Sequence, residues 1–284
     1  MLVNRQNELI GFAKALQQGL KRFIPRTLLP MRVALAEHCN LNCRGCDHFS
    51  PIAEPQFADF TSLAMDFARL SALFDGQADQ ILLMGGEPLL HPEIEKFMIM
   101  ARKNFLYAKI EVVTNGVLLM KKPESFWKTC RENNIGLNVT KYPIPLDFKA
   151  MEEKSASYGV NFHYFDGRGD IVKTLFQHKL SEKKTQDAWT SYLLCHRANN
   201  CIYLQDGRLY TCTVAPTVRH FDKRFGTHLF NAEENSIDIY VAKSAHEIMN
   251  FLAKPIPFCA HCRMNETVHG IKWCTSKKSI EEWT

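Results

Sequence analysis

Apolar positions between residues 31 and 165 follow two spacings in alternation. Short, nearly continuous apolar runs read as buried strands: Met31–Glu37 (MRVALAE), Gln80–Met84, Lys109–Thr114, and the stretches 136–142 and 160–165. Between them, apolar residues recur at helical spacing. The stretch 61–74 sets Leu63, Phe67, Leu70 and Phe74 on one face, with Asp59 to Ser62 available as caps. Pro92 opens a second helix whose inner face carries Ile94, Phe97, Met98 and Ala101. Residues 123–134 and 147–157 read as two more. Strands alternating with helices predict parallel strands joined by crossover helices, an α/β fold. The turns richest in chemistry follow the first three strands: the loop His38–Pro55, then Gly85–Pro88, then Asn115–Gly116. In parallel α/β barrels that end of the strands carries the site.

The pattern differs at both ends of the chain. Leu9, Phe12, Leu16 and Leu20 predict an amphipathic N-terminal helix within residues 1–30, packed on the domain that follows. Arg5, Glu8, Lys14, Lys21 and Arg22 interrupt it, unlike the unbroken apolar core of a secretory signal. Past about residue 170 the alternation fades. Asp206–Gly207, flanked by apolar and aromatic residues, signals a β-hairpin, and residues 241–253 look helical. The expected division is a barrel over 31–190 and a small cysteine-rich domain over 191–284.

Composition narrows the class. The chain has 284 residues, 46% hydrophobic and 23% charged, an ordinary globular balance. Its net charge of +5, without a basic block interleaved with aromatics, is no nucleic-acid signature. It would suit an acidic electron carrier. Without a stretch of ~20 apolar residues, no membrane contact is expected. Ten cysteines in a chain long enough to bury its own core point away from disulfide staples. A reducing cytoplasmic setting is expected, where clustered cysteines serve as metal ligands.

The first cluster is His38-Cys-Asn-Leu-Asn-Cys-Arg-Gly-Cys-Asp47, a Cys-x3-Cys-x2-Cys spacing. Three thiolates can hold three irons of a four-iron cluster, leaving the fourth iron open. Zinc competes with this reading, because His38 or His48 could complete a zinc set. The position of the triplet after strand one, with Gly85-Gly-Glu-Pro88 after strand two and Thr114-Asn-Gly116 after strand three, resembles the radical S-adenosylmethionine (SAM) superfamily over residues 31 to about 165. The resemblance implies a partial (β/α)6 barrel and a [4Fe-4S] cluster on Cys39, Cys43 and Cys46. SAM would chelate the open iron and be cleaved to a 5′-deoxyadenosyl radical that abstracts hydrogen from a substrate. It also implies SAM contacts from Gly85, Gly86 and Glu87, and from Thr114 and Asn115. Glycines there would let the backbone approach SAM closely. One departure stands out: family members usually carry an aromatic residue just before the third cysteine, near the adenine. Here that residue is Gly45, and Phe49 is the candidate to fill the space.

A second set follows: Cys195 and Cys212 in a Cys-x11-Gly-x4-Cys arrangement, then Cys259 and Cys262 as Cys-x2-Cys. It resembles the twitch domain, the shortened relative of the SPASM domain. That implies one auxiliary [4Fe-4S] cluster on these four cysteines, with structural zinc as the alternative. Cys130, on a helix, reads as packing. Cys201 and Cys274 are open: either could replace a ligand or donate a hydrogen atom to a substrate radical.

An auxiliary cluster suggests an electron path, and hence a two-electron oxidation of the substrate. Lys141, Asp166 and Arg168 follow strands four and five and are the candidates for handling the substrate proton. The expected substrate is a small polar molecule, such as a carbohydrate (a sugar, sugar nucleotide or aminocyclitol), since only about 30 residues precede the barrel. The expected partner is a flavodoxin- or ferredoxin-type electron donor. Peptide maturation, radical epimerisation and a non-catalytic iron–sulfur or zinc sensor are the alternatives.

Overall fold

The computed structural model describes Leu20, residues 23–165 and residues 172–284. The expected N-terminal helix lies almost wholly outside the described residues, as do Asp166 and Arg168.

The first half is the expected βα series. Strands β1 (Pro30–Ala36), β2 (Gln80–Gly85), β3 (Lys109–Thr114), β4 (Ile135–Val139) and β5 (Phe162–Tyr164) pair in parallel, each with its sequential neighbour. Helices α1 (Phe60–Leu73), α2 (Ile94–Asn104), α3 (Glu124–Glu132) and α4 (Phe148–Tyr158) make the crossovers. The Asp59 side chain caps α1, accepting from the Ser62 amide at 2.8 Å. The apolar faces of α1 and α2 meet strand residues Val33, Ile81, Leu83, Ile110 and Val112 in one core. β4 ends at Val139, earlier than the apolar run suggested, so Lys141 and Tyr142 fall in the loop beyond it.

The later elements are β6 (Leu175–Gln177), α5 (Ala188–Leu194), β7 (Tyr203–Gln205), β8 (Arg208–Tyr210), α6 (Val214–Phe225), α7 (Ala232–Asn235), β9 (Ser236–Asp238), α8 (Ala245–Leu252) and β10 (Val268–Ile271). Of these, β7, β8 and β9 extend this sheet, while β6 and β10 pair in a separate two-stranded one. The sheet order is β5-β4-β3-β2-β1-β7-β8-β9. β7 runs parallel to β1, while β7, β8 and β9 are antiparallel to one another. The cysteine-rich part is therefore hydrogen-bonded into the barrel sheet. Asp206 and Gly207, both at positive φ, make the expected hairpin turn between β7 and β8. A second core joins Phe49 from the first loop to Tyr192, Tyr203, Tyr210, Phe221, Phe258 and Trp283.

Candidate active site

Three loops converge at the carboxyl ends of β1, β2 and β3. The glycine pair after β2 runs against the end of β1. The Gly86 amide donates to the Ala36 carbonyl at 2.7 Å and the Glu87 amide to that of His38 at 3.1 Å. A Cβ on Gly85 would come within 2.3 Å of the Ala36 oxygen, and one on Gly86 within 2.2 Å of the His38 oxygen. Neither distance is tolerable for a side chain. Close backbone packing against the cysteine loop thus requires both glycines, whatever they also meet in a ligand.

Glu87 ties in the third loop. Its carboxylate accepts from the Leu89 amide (3.1 Å), the Thr114 hydroxyl (2.6 Å) and the Asn115 amide (2.9 Å). Burial pushes this carboxyl up to about 7, with those three donors opposing the rise. The Asn115 side chain donates onward to Asn40 at 2.7 Å and approaches the Cys39 sulfur at 3.7 Å. Thr114 and Asn115 are thereby held at the triplet.

The three thiols sit in one another's electrostatic field, and each faces donors. Cys39 receives the Leu41 amide at 3.3 Å. The Cys46 sulfur receives the backbone amides of His48 and Ser50. Cys43 receives the indole N–H of Trp273 at 3.2 Å, and the Tyr142 hydroxyl lies in hydrogen-bonding reach of the same sulfur. Burial raises all three thiols, Cys46 to about 12, so deprotonation has to accompany metal binding. Donors aimed at sulfur suit thiolates that carry charge as ligands. The two histidines of the zinc alternative make ring contacts, and the buried Nδ1 of His38 has no hydrogen-bond partner among the described residues. His38 packs its ring against Phe57, centroids 4.9 Å apart, and His48 lies 5.8 Å from Tyr203.

The second set gathers as well. Cys195 ends α5, Cys212 precedes α6, and Cys259 and Cys262 occupy a short 3-10 turn. Burial raises Cys212, Cys259 (to about 12) and Cys262, and proximity to Cys195 raises all three further. The amides of Val214 and Ala215, at the start of α6, point at the Cys212 sulfur, where a helix N-terminus favours a thiolate. Half-buried Cys195 thus lies in the electrostatic field of three buried thiols. Among the described residues no group of three His, Cys, Asp or Glu side chains is tight enough for a single metal ion. The residues present fit two iron–sulfur clusters.

The remaining candidates separate. Phe49 is 1% exposed and packs between Phe221 and Trp283 in the second core, not on the open face expected for adenine packing. Gly45, at φ +62, has the Glu282 carbonyl 3.2 Å from where a Cβ would stand, so an aromatic side chain there would be strained. The aromatic rings beside the triplet come instead from Tyr142 and Trp273, in edge contact at 6.2 Å. The Lys141 ammonium lies 5.3 Å from the ring centroids of both Phe148 and Tyr164. Cys130 is fully buried in the barrel core. Cys201 lies beside Cys195 and Arg197, and Cys274 beside Cys43. A cavity of about 170 Å³ under the start of α1 is bordered by Glu37, Asp66, Gln205 and Arg219, and by none of the cysteines.

One connection had no signal in the sequence. Asp47, next to Cys46, pairs with Arg197, two residues past Cys195: Nε donates to Oδ2 at 2.8 Å and the second nitrogen lies 2.5 Å from it. Burial pushes Asp47 up, but Arg197 and His178 outweigh it and hold the carboxylate low. The Arg197 guanidinium also covers Phe176 at 4.7 Å. This buried ion pair joins the two cysteine sites.

Residues 33–147 match the model of the radical SAM superfamily. Among curated proteins, a GTP 3′,8-cyclase of Campylobacter fetus is 30% identical over 95 residues, which is 34% of this chain and 30% of that protein. Molybdenum cofactor biosynthesis protein 1 of Dictyostelium discoideum is 33% identical over 99 residues, 34% of this chain and 16% of that protein. The chain thus spans less than a third of the length of these relatives. Among solved structures, BtrN in complex with AdoMet and 2-DOIA superposes with a TM-score of 0.52 at 18% identity, covering 84% of this chain and 94% of that one. Residues 33–147 therefore carry a radical SAM domain, and the fold around it is that of a solved structure with bound AdoMet.

Proposed function

We propose that this enzyme removes hydrogen from a small polar substrate, such as a sugar, sugar nucleotide or aminocyclitol, and completes a two-electron oxidation. Cys39, Cys43 and Cys46 would hold the SAM-binding [4Fe-4S] cluster, and Cys195, Cys212, Cys259 and Cys262 the auxiliary one. When bound, the first cluster with SAM supplies a carbon radical for hydrogen abstraction, and the auxiliary cluster supplies an electron acceptor. The observation that carries this reading is the number of thiols at each site. With Cys39, Cys43 and Cys46 as the ligands, and Cys274 beside Cys43 left off, the first cluster would keep room for a ligand on iron, whereas the four thiols Cys195, Cys212, Cys259 and Cys262 would saturate the second and suit electron transfer alone.

The chain's own residues have defined tasks. Glu87 holds the Thr114–Asn115 turn against the cysteine loop, which fixes the rim where SAM would lie. Gly85, Gly86, Thr114 and Asn115 form that rim. Lys141, Asp166 and Arg168, from the ends of β4 and β5, are the proposed groups for the substrate proton. Phe49 supports the loop from behind. A flavodoxin- or ferredoxin-type donor in a cytoplasmic setting would supply electrons, in keeping with the net charge of +5. Among the described residues no helix is long and apolar enough to cross a membrane.

A second reading, action on a purine nucleotide, is favoured by the similarity to the Campylobacter GTP 3′,8-cyclase. That similarity covers only 34% of the chain. The test is anaerobic reconstitution, then incubation with SAM, a strong reductant and a panel of sugars, sugar nucleotides, aminocyclitols, GTP and short peptides. The oxidation reading expects one small polar compound to raise 5′-deoxyadenosine release and to emerge lighter by two hydrogens. Stimulation by GTP alone, or by peptides alone, contradicts it. A product of unchanged mass carrying one solvent deuterium would mean epimerisation.

A further inference from the structure

The last residues of the chain return to the first cysteine loop and grip it at several points. Thr275 forms an antiparallel bridge with Cys43; the Arg44 amide donates to the Cys274 carbonyl at 3.0 Å and the Ser276 amide to that of Asn42 at 2.8 Å. Beyond it, Glu282 accepts from the Gly45 amide at 3.3 Å and from the Ser276 hydroxyl at 2.7 Å. The Trp283 indole donates to the Cys46 carbonyl at 3.0 Å. This strap carries Trp273 to Cys43, where the indole N–H donates to the sulfur at 3.2 Å. From the other side the loop after β4 brings Tyr142, whose ring meets that of Trp273 edge-on and whose hydroxyl reaches the same sulfur.

We propose that Trp273, through its hydrogen bond to Cys43, and Tyr142, packed edge-on against it near the same sulfur, are positioning residues that set the reduction potential of the SAM-binding cluster. The inference rests on the reading that Cys39, Cys43 and Cys46 hold that cluster. Reduction adds one negative charge to the cluster, spread in part onto the ligand sulfurs. Donors at a sulfur stabilise the reduced form more than the oxidised form and make reduction easier. Of the side-chain donors to the triplet sulfurs, Trp273 at 3.2 Å from Cys43 is closer than Asn115 at 3.7 Å from Cys39, and the Tyr142 hydroxyl lies near that same Cys43 sulfur. The C-terminal strap thus tunes the radical-generating end of the molecule as well as closing it.

The experiment uses the full chain, reconstituted anaerobically with iron and sulfide, as wild type, Trp273→Phe, Tyr142→Phe and Cys274→Ser. Iron content is measured, and the midpoint potential is followed through the electron paramagnetic resonance signal that changes on adding SAM. Trp273→Phe and Tyr142→Phe are each expected to load iron fully and to shift that midpoint to more negative potential, leaving the SAM-insensitive signal in place. Cys274→Ser keeps the strap's backbone contacts and should leave the midpoint where it is. An unchanged midpoint in an iron-loaded Trp273→Phe or Tyr142→Phe protein overturns the proposal, as does an equal shift in Cys274→Ser. Wild type that loads no iron, or shows no SAM-sensitive signal, would instead remove the cluster reading beneath it. Should Trp273→Phe fail to load, Tyr142→Phe tests the same donor effect without disturbing the strap.

Discussion

At the scale of single residues, backbone proximity by itself requires the glycine pair, whatever ligand it also meets. The Gly85–Gly86 turn was legible in the sequence as a site feature. Its requirement for glycine comes from the carbonyls of Ala36 and His38, which no local pattern reveals. Gly86→Ala is expected to destabilise the fold by about 3 kcal/mol or more and to loosen the cysteine loop. Urea unfolding and iron loading of the variant check this; wild-type stability with full loading would contradict it. His178 gives a pH dependence. Burial holds its imidazole down to about 3, with Arg197 adding to the effect. In the unfolded chain it protonates near 6.5. The unfolded state therefore binds more protons between those values, and stability is lost as pH falls through that window. The loss from this residue is about 2 kcal/mol by pH 5. His178→Phe should flatten the acid limb of a stability–pH curve; an unaltered limb would count against this account.

At the scale of elements, the βα series was readable because helix and strand periods alternate cleanly from Met31 to Phe162. α5 and α6 were not. α6 carries Pro216 in its first turn, where proline is tolerated but breaks the sequence pattern. Its apolar face, Val214, Val218 and Phe221, packs in the second core. The β6–β10 pair joins segments about ninety residues apart, beyond the reach of any local signal. The Asp206–Gly207 turn was legible, since its residues are those a tight hairpin requires. The same asymmetry governs the candidate site: both cysteine sets announced themselves by spacing, whereas Trp273 and Tyr142 became neighbours of Cys43 only through folding. Arg197 likewise meets Asp47 across 150 positions of chain. Arg197→Met is expected to cost about 3–5 kcal/mol, because it strands a buried carboxylate. Pairing it with Asp47→Leu should recover much of that loss. A double variant no better than the single one would show that the pair is not coupled.

At the scale of the whole molecule, one sheet and two cores serve two thiol sites. β7 lies beside β1, so the segment bearing Cys195 and Cys212 is registered against the strand that leads into Cys39. The Asp47–Arg197 pair and the C-terminal strap add two more ties across the same boundary. Such an arrangement fixes the two sites relative to each other, which suits an electron passing from substrate to a second cluster. The most direct test of this account is iron and sulfide analysis of the anaerobically reconstituted chain beside the Cys39→Ala/Cys43→Ala/Cys46→Ala variant. Two clusters predict about eight irons in the wild type and about four in the variant, with SAM cleavage abolished. A variant with no iron, with zinc in the remaining site, or with undiminished SAM cleavage would contradict it.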